Sequence, residues 1–287
     1  MKKILLSFFI FLSLALSAAA DDLEDRVYYF GIFQPQAGPY VAPRTGPNFH
    51  DVWNFVKDFQ DLPEDAQNSL RFQAEGDEEK SREFMKVAIQ KNSRNYGVRL
   101  AATQWALRAG EMKIAQEQAK AALTLAPDST EVQFVRGIVA MHQRDFAEAE
   151  KIFKKIHDDY PSHITAIHYL ALALCEQNDP VKLRKSEEYA QLNVRMKDAP
   201  PEAFAAMGWV LYKEDRFAAA NEFLQEAVRT ADGEVSSDIK YYIAALKMKS
   251  NNSDTRKEAK EILTEILESK MPFYKRADAE KLHEIGF

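Results

Sequence analysis

The 287-residue sequence predicts an all-α protein in which pairs of helices stack side by side as an α-solenoid. Three observations favour this fold class. Apolar residues recur at helical spacing, the same pattern returns after 34 residues, and a proline follows the second helix of the clearest units. The composition is globular, with 46% hydrophobic and 29% charged residues, which excludes collagen-like and disordered chains.

The period is clearest in two consecutive units. Equivalent residues lie 34 positions apart: Ala115, Ala119, Ala122 and Pro127 in the first unit, and Ala149, Phe153, Ile156 and Pro161 in the second. The spacing within each set places the first three side chains on one helical face and the proline beyond the helix end. Gly137 lies in the middle of the first helix of the second unit. A glycine inside a helix lowers its stability by about 1 kcal/mol relative to alanine. We therefore expect a neighbouring helix to approach closely at Gly137.

These residues resemble the tetratricopeptide repeat (TPR) family, whose units are helix–turn–helix pairs of 34 residues. The string Gly-Trp-Val-Leu-Tyr-Lys at 208–213 is similar to the end of a TPR first helix. Thr103 departs from the family pattern, which has glycine at that position. The resemblance covers roughly 62–285. It implies a TPR-type α-solenoid of about six units with a C-terminal capping helix and an irregular N-terminal strap.

The domain organisation predicted from these patterns has four parts. They are a signal peptide at 1–20, a strap with a short helix at 21–61, a repeat array at 62–270 and a capping helix at 271–287. The six predicted units span 62–95, 96–129, 130–163, 164–200, 201–234 and 235–270. The final helix is expected because a solenoid must cover its last apolar face.

The first twenty residues predict export. Lys2 and Lys3 precede an apolar run over residues 4–16, and small residues at Ala18 and Ala20 favour cleavage after Ala20. The run is shorter than the roughly 20 residues that a membrane span needs. We expect a periplasmic or secreted protein without a stable membrane span after cleavage. An uncleaved signal anchor is the alternative.

Residues 21–61 differ in kind from the repeats. Residues 34–47 include four prolines and two glycines, which excludes a regular helix there. Asn48 can cap a short apolar helix that follows it. The aromatic residues of this region should be buried somewhere. They can cover the outside of the first repeats, lie along the inner groove of the array, or form a partner-binding arm.

The family geometry implies that the first helix of each unit lines a concave groove. Its remaining face is rich in apolar and aromatic residues, which are typical interface anchors. The predicted partner-binding residues are Leu100, Gln104, Arg108, Phe134, Ile138, Met141, His168, Leu172, Trp209, Tyr212 and Tyr242. They suit a peptide or amphipathic helix of another protein. Some can instead belong to the core between helices, since a register error of one residue turns a side chain by about 100°.

The sequence contains no recognised catalytic or metal-binding motif. Its six histidines form no H-E-x-x-H pattern, and no G-x-S-x-G, P-loop or G-x-G-x-x-G occurs. His142, His168 and Cys175 could approach one another across adjacent helices, but neutral groove residues explain them more simply. We expect no catalytic residues, no bound metal and no cofactor.

Charge and cysteine content narrow the function further. The net charge of −6 and the lack of a long basic block argue against nucleic-acid binding. A single cysteine excludes a disulfide framework and agrees with an oxidising compartment. We therefore expect a non-enzymatic scaffold or adaptor of the bacterial cell envelope that binds another protein in its groove. Two alternatives are a binder of a small hydrophobic ligand and an enzyme with its site in the N-terminal strap; the strap lacks a nucleophile–base pair.

Overall fold

The computed structural model describes residues 62–197, 199–231, 235–269 and 271–285. All of them lie in one compact unit of the chain, Arg44–Phe287. Within these ranges the structure has thirteen α-helices and no β-strand, which confirms the predicted all-α fold class. None of these helices is both long and apolar enough to cross a bilayer. The predicted signal peptide and N-terminal strap lie outside the described residues.

Twelve of the helices form six consecutive pairs, and the last one packs on the end of the array. In chain order they are α1 (Glu64–Glu75), α2 (Glu78–Lys91), α3 (Tyr96–Arg108), α4 (Met112–Leu125), α5 (Thr130–His142), α6 (Phe146–Asp159), α7 (Ile164–Cys175), α8 (Pro180–Val194), α9 (Pro201–Lys213), α10 (Phe217–Thr230), α11 (Ser237–Lys247), α12 (Ser253–Glu268) and α13 (Arg276–Glu284). Each odd-numbered helix from α1 to α11 is the first of its pair.

Polar caps explain where several first helices begin. The side chain of Asn95 accepts a hydrogen bond from the N–H of Val98 at 3.2 Å, one turn into α3. Ser129 caps α5 in the same way, and Ser236 caps α11. Each cap satisfies a backbone donor that the helix cannot pair internally and typically stabilises the helix by about 1 kcal/mol.

Small residues mark the point where the two helices of a pair approach most closely. A Cβ atom added at Gly137 of α5 would lie 2.5 Å from the ring of Phe153 on α6. One added at Gly208 of α9 would lie 2.8 Å from Leu224 on α10. The close approach predicted at Gly137 is therefore confirmed, and the facing Phe153 is fully buried.

The first pair uses serines at the same contact. Ser69 Oγ donates to the carbonyl oxygen of Ser81 at 2.7 Å, and Ser81 Oγ donates to the carbonyl oxygen of Ser69 at 2.8 Å. In the fourth pair Ser186 Oγ donates to the carbonyl oxygen of Ala171 at 2.8 Å. Hydrogen bonds thus satisfy these hydroxyl groups in the core.

The C-terminal helix differs from the prediction in one respect. Helix α13 begins at Arg276, five residues after the start of the predicted capping segment. Residues 272–275, with the sequence Pro-Phe-Tyr-Lys, are not helical, yet all four are buried. The side chains of Tyr274 and Lys275 contact earlier repeats, so this segment links α12 to α13 by way of the candidate site.

Candidate partner-binding site

The predicted groove residues are mostly buried in the described structure. Nine of the eleven have buried side chains: Leu100, Gln104, Phe134, Ile138, Met141, His168, Leu172, Trp209 and Tyr242. Arg108 and Tyr212 are partly exposed. Each first helix packs on its own second helix and on the first helices of neighbouring pairs, which covers most of its surface. Their role in partner binding stays a prediction.

Three of these residues form an aromatic stack between the C-terminal part of α9 and the middle of α11. Trp209 lies between Tyr212 and Tyr242, with ring centroids 4.8 Å and 4.7 Å away and interplanar angles of 10° and 19°. Stacked rings contribute about 0.5–1.5 kcal/mol per pair beyond the area that they bury. Only Tyr212 is partly exposed, so it forms the solvent side of the stack.

Glu176 lies directly beside this stack, at the end of α7. Its Oε1 atom accepts a hydrogen bond from Trp209 Nε1–H at 2.7 Å, and its Oε2 atom lies 2.7 Å from Lys275 Nζ. Lys213 Nζ is more distant, at 3.9 Å. A buried carboxylate is tolerated only when a cation and hydrogen bonds replace its hydration. Trp209 and Lys275 provide both.

Residues 272–275, here called the C-terminal segment, complete the site. The hydroxyl groups of Tyr274 and Tyr242 share a hydrogen bond of 2.9 Å, and Tyr274 OH also donates to Glu176 Oε1 at 3.4 Å. The ring of Tyr274 meets Phe146 edge-on, with centroids 6.5 Å apart. Lys275 Nζ lies 5.0 Å from the centroid of the Trp209 ring, at cation–π distance.

An ion pair holds the start of α13 against the turn before α6. Arg144 donates to Asp278 Oδ2 at 2.9 Å, and Lys275 Nζ lies 2.9 Å from the same oxygen. Partial burial alone would raise the pKa of Asp278, but the hydrogen bonds from Arg144 and Lys275 outweigh it and the pKa is lowered. Asp278 therefore remains ionised at neutral pH.

Burial shifts the ionisation of other groups around the site. It raises the pKa of Tyr242 and Tyr274 well above the usual range, so both hydroxyl groups keep their protons. It raises the pKa of Asp238 to about 7, with a further increase from the nearby charge of Glu202 and a decrease from Lys275. The site thus places the neutral hydroxyl groups of Tyr242 and Tyr274 beside the Glu176 carboxylate.

The possible His142, His168 and Cys175 constellation has groups in their neutral forms. Burial lowers the pKa of His142 and His168 to about 4 and raises that of the Cys175 thiol. Across the ranges that the structure describes, no group of three or more His, Cys, Asp or Glu side chains is arranged to hold a metal ion.

The contribution of Tyr274 and Lys275 was not predicted from the sequence. Helical periodicity treats the region after α12 only as a cover for the last repeat. The available signal was that Pro272 is followed by two aromatic residues and a lysine, a string with no helical pattern of its own. The position of this string in the fold depends on contacts with residues about three repeat units earlier. Spacing along the chain does not encode such contacts.

Comparison with known proteins agrees with this architecture. Residues 104–164 match the family model of the tetratricopeptide repeat, and no curated protein matches the sequence. A solved tetratricopeptide repeat protein from Parabacteroides merdae ATCC 43184 is similar, with a TM-score of 0.60 and 14% identity; the match covers 82% of this chain and 93% of that one.

Two further solved structures are similar. PilW, described as a widely conserved type IV pilus biogenesis factor, has a TM-score of 0.55 and 17% identity, with 70% of this chain and 91% of that chain covered. Pseudomonas aeruginosa PilF has a TM-score of 0.50 and 19% identity, with 75% and 96% covered. At such identities the likeness concerns the fold. Together with the family match over residues 104–164 and the paired helices, it shows that the described part of this chain has an all-α, TPR-type fold.

Proposed function

We propose that this protein is a non-enzymatic scaffold that binds a segment of another protein through the first helices of its repeats. The observation that carries the proposal is the way the described site holds the C-terminal segment. Tyr274 and Lys275 contact side chains from four different helix pairs, including Glu176, Trp209 and Tyr242. Such contacts from successive repeats are the means by which a TPR surface can bind an extended polypeptide.

The proposed cellular location is the bacterial envelope, either periplasmic or secreted. The predicted signal peptide supports export. The pilus biogenesis factor PilW has a similar fold, which makes envelope assembly a reasonable setting for the proposed scaffold. Fractionation of cells that express the full chain tests the location, and the N-terminal residue of the recovered protein should be Asp21. Recovery of an uncleaved chain from the cytoplasm would contradict it.

Partner capture tests the proposed binding. Tyr212 is the partly exposed member of the aromatic stack, so Tyr212→Ala removes a contact that an incoming segment would use. We expect cross-linked partners to be recovered from native envelopes by the wild-type protein and at least fivefold less by this variant. Tyr160→Ala is the matched control, because Tyr160 is an exposed aromatic residue at the end of α6. Equal recovery by all three proteins would contradict a binding role for the stack.

A further inference from the structure

The C-terminal segment contacts the array in the manner of a bound peptide. In a solenoid each unit normally contacts only its neighbours. Here Tyr274 contacts Glu176, which is 98 residues earlier, and Asp278 contacts Arg144, which is 134 residues earlier. The segment is not helical, follows the last repeat and contacts helix pairs three to six. It therefore occupies a surface that the repeats present to a polypeptide.

The lysine is the most specific anchor of this segment. Lys275 is 3% exposed, and its ammonium group has the carboxylates of Glu176 and Asp278 at 2.7 and 2.9 Å and the Trp209 ring at 5.0 Å. Of these groups, Asp278 belongs to the C-terminal region itself. Glu176 and Trp209 belong to the array and stay in place if the segment leaves.

The tyrosine is the second anchor. Tyr274 places its hydroxyl group within reach of both Tyr242 and Glu176, while its ring contacts Phe146. An aromatic residue directly followed by lysine thus fills two adjacent positions of the site. The aromatic residue fills a position that is apolar with a polar end, and the lysine fills an anionic one. If Lys275 leaves, the array itself offers Glu176 only the more distant Lys213, at 3.9 Å. A replacement ligand therefore gains by supplying a closer positive charge to this buried carboxylate.

We propose that this site is the docking site for a partner segment that carries an aromatic residue directly followed by lysine. Residues 272–275 are a tethered competitor that the partner displaces. The proposal rests on the proposed scaffold function and specifies the class of partner. A tethered ligand acts at an effective concentration of roughly millimolar, so the partner must bind more tightly than an isolated copy of the segment.

The direct test is binding of a synthetic, fluorescein-labelled peptide with the sequence of residues 271–279 to the full mature chain. In Lys275→Met the internal competitor loses its charge and keeps its apolar stem. We expect the peptide to bind this variant at least tenfold more tightly than the wild type. A control peptide with alanine in place of its lysine should bind neither protein. In the Lys275→Met background, the further change Glu176→Gln should weaken peptide binding at least tenfold.

A second measurement keeps the proposal testable if Lys275→Met does not fold. An isotope-labelled 271–279 peptide is added to the wild-type chain at a concentration well above the roughly millimolar effective concentration of the tethered segment. Hydrogen exchange of the protein's own residues 272–279 is then followed by mass spectrometry. Faster exchange with this peptide, but not with the alanine control peptide, supports displacement.

Unchanged exchange, or absence of peptide binding to a folded Lys275→Met variant, would overturn the docking site. In either case the Tyr212-dependent capture of partners would be unaffected if the broader scaffold function is right. Loss of that capture with peptide binding intact would instead refute the scaffold function in envelopes and leave the peptide site in place.

Discussion

Glu176 and Lys275 form an ion pair of 2.7 Å in which each side chain is only 3% exposed. It connects the end of α7 to the residue before α13. Breaking such a pair leaves a charge buried without its partner, which typically costs 3–5 kcal/mol, whereas an exposed pair is worth about 0–1 kcal/mol. The pair therefore fixes the C-terminal segment to the array.

The first prediction concerns that pair. Glu176→Gln should lower the free energy of unfolding by about 3 kcal/mol, because Lys275 stays buried with Asp278 as its remaining carboxylate partner. Urea denaturation followed by circular dichroism measures the change. Glu265→Gln is the control, since Glu265 pairs with Lys240 at the surface and should change stability by less than about 1 kcal/mol. Similar losses in both variants would show that the buried pair has no special role.

The second prediction concerns the helix contact at Gly137. Gly137→Ala should destabilise the protein by about 1–3 kcal/mol, because the new methyl group would lie 2.5 Å from the Phe153 ring. The double variant Gly137→Ala/Phe153→Leu should be less destabilised than the two single effects added together, since a smaller side chain makes room. Thermal denaturation of the four proteins completes the cycle. Strict additivity would mean that the two residues do not compete for space.

The third prediction concerns a buried amide. Neither polar side-chain atom of Asn193 on α8 has a hydrogen-bond partner, although the residue is fully buried. Leucine has a similar shape and no polar group to satisfy, so Asn193→Leu should raise the free energy of unfolding by about 1–2 kcal/mol. Urea denaturation measures it. Asn221→Leu, at an exposed position on α10, is the control and should have little effect. A loss of stability at Asn193 alone would contradict this account.

The fourth prediction concerns pH. The pKa of Asp238 is about 7 in the folded protein and near 3.8 without burial. Its neutral form therefore favours folding below pH 4, and this contribution is lost as the pH rises through 7. Asp238→Asn mimics the neutral form, so the variant should become progressively more stable relative to wild type between pH 4 and 7.

Histidines act in the opposite direction. Burial lowers the pKa of His163 and His168 to about 4, so the stability that they contribute as neutral groups is present above pH 6.5 and lost as the pH falls through 4. The wild type and the Asp238→Asn variant both contain these histidines. Their contribution therefore cancels in the difference between the two free energies of unfolding. Urea denaturation at each pH provides the difference. A constant difference from pH 4 to 8 would show that Asp238 does not titrate as stated.

Much of the fold could be read from local patterns. The spacing of Ala149, Phe153 and Ile156 predicted one face of a helix, and all three are buried in α6. Gly137 indicated a close helix contact, which the structure confirms. These predictions succeed because a TPR unit contacts mainly its own helices and its neighbours, so its packing follows from residues close in the chain.

The sequence by itself determined the helix pairs, their period and the small residues at their contacts, since helical spacing encodes these within one unit. Only the tertiary structure decided that Trp209 and Tyr242 are buried and that Tyr274 and Lys275 cover them beside Glu176. The physical reason is separation along the chain. The C-terminal segment gains its hydrogen bonds and ion pairs from repeats far earlier, and no periodic pattern records which distant surface will supply them.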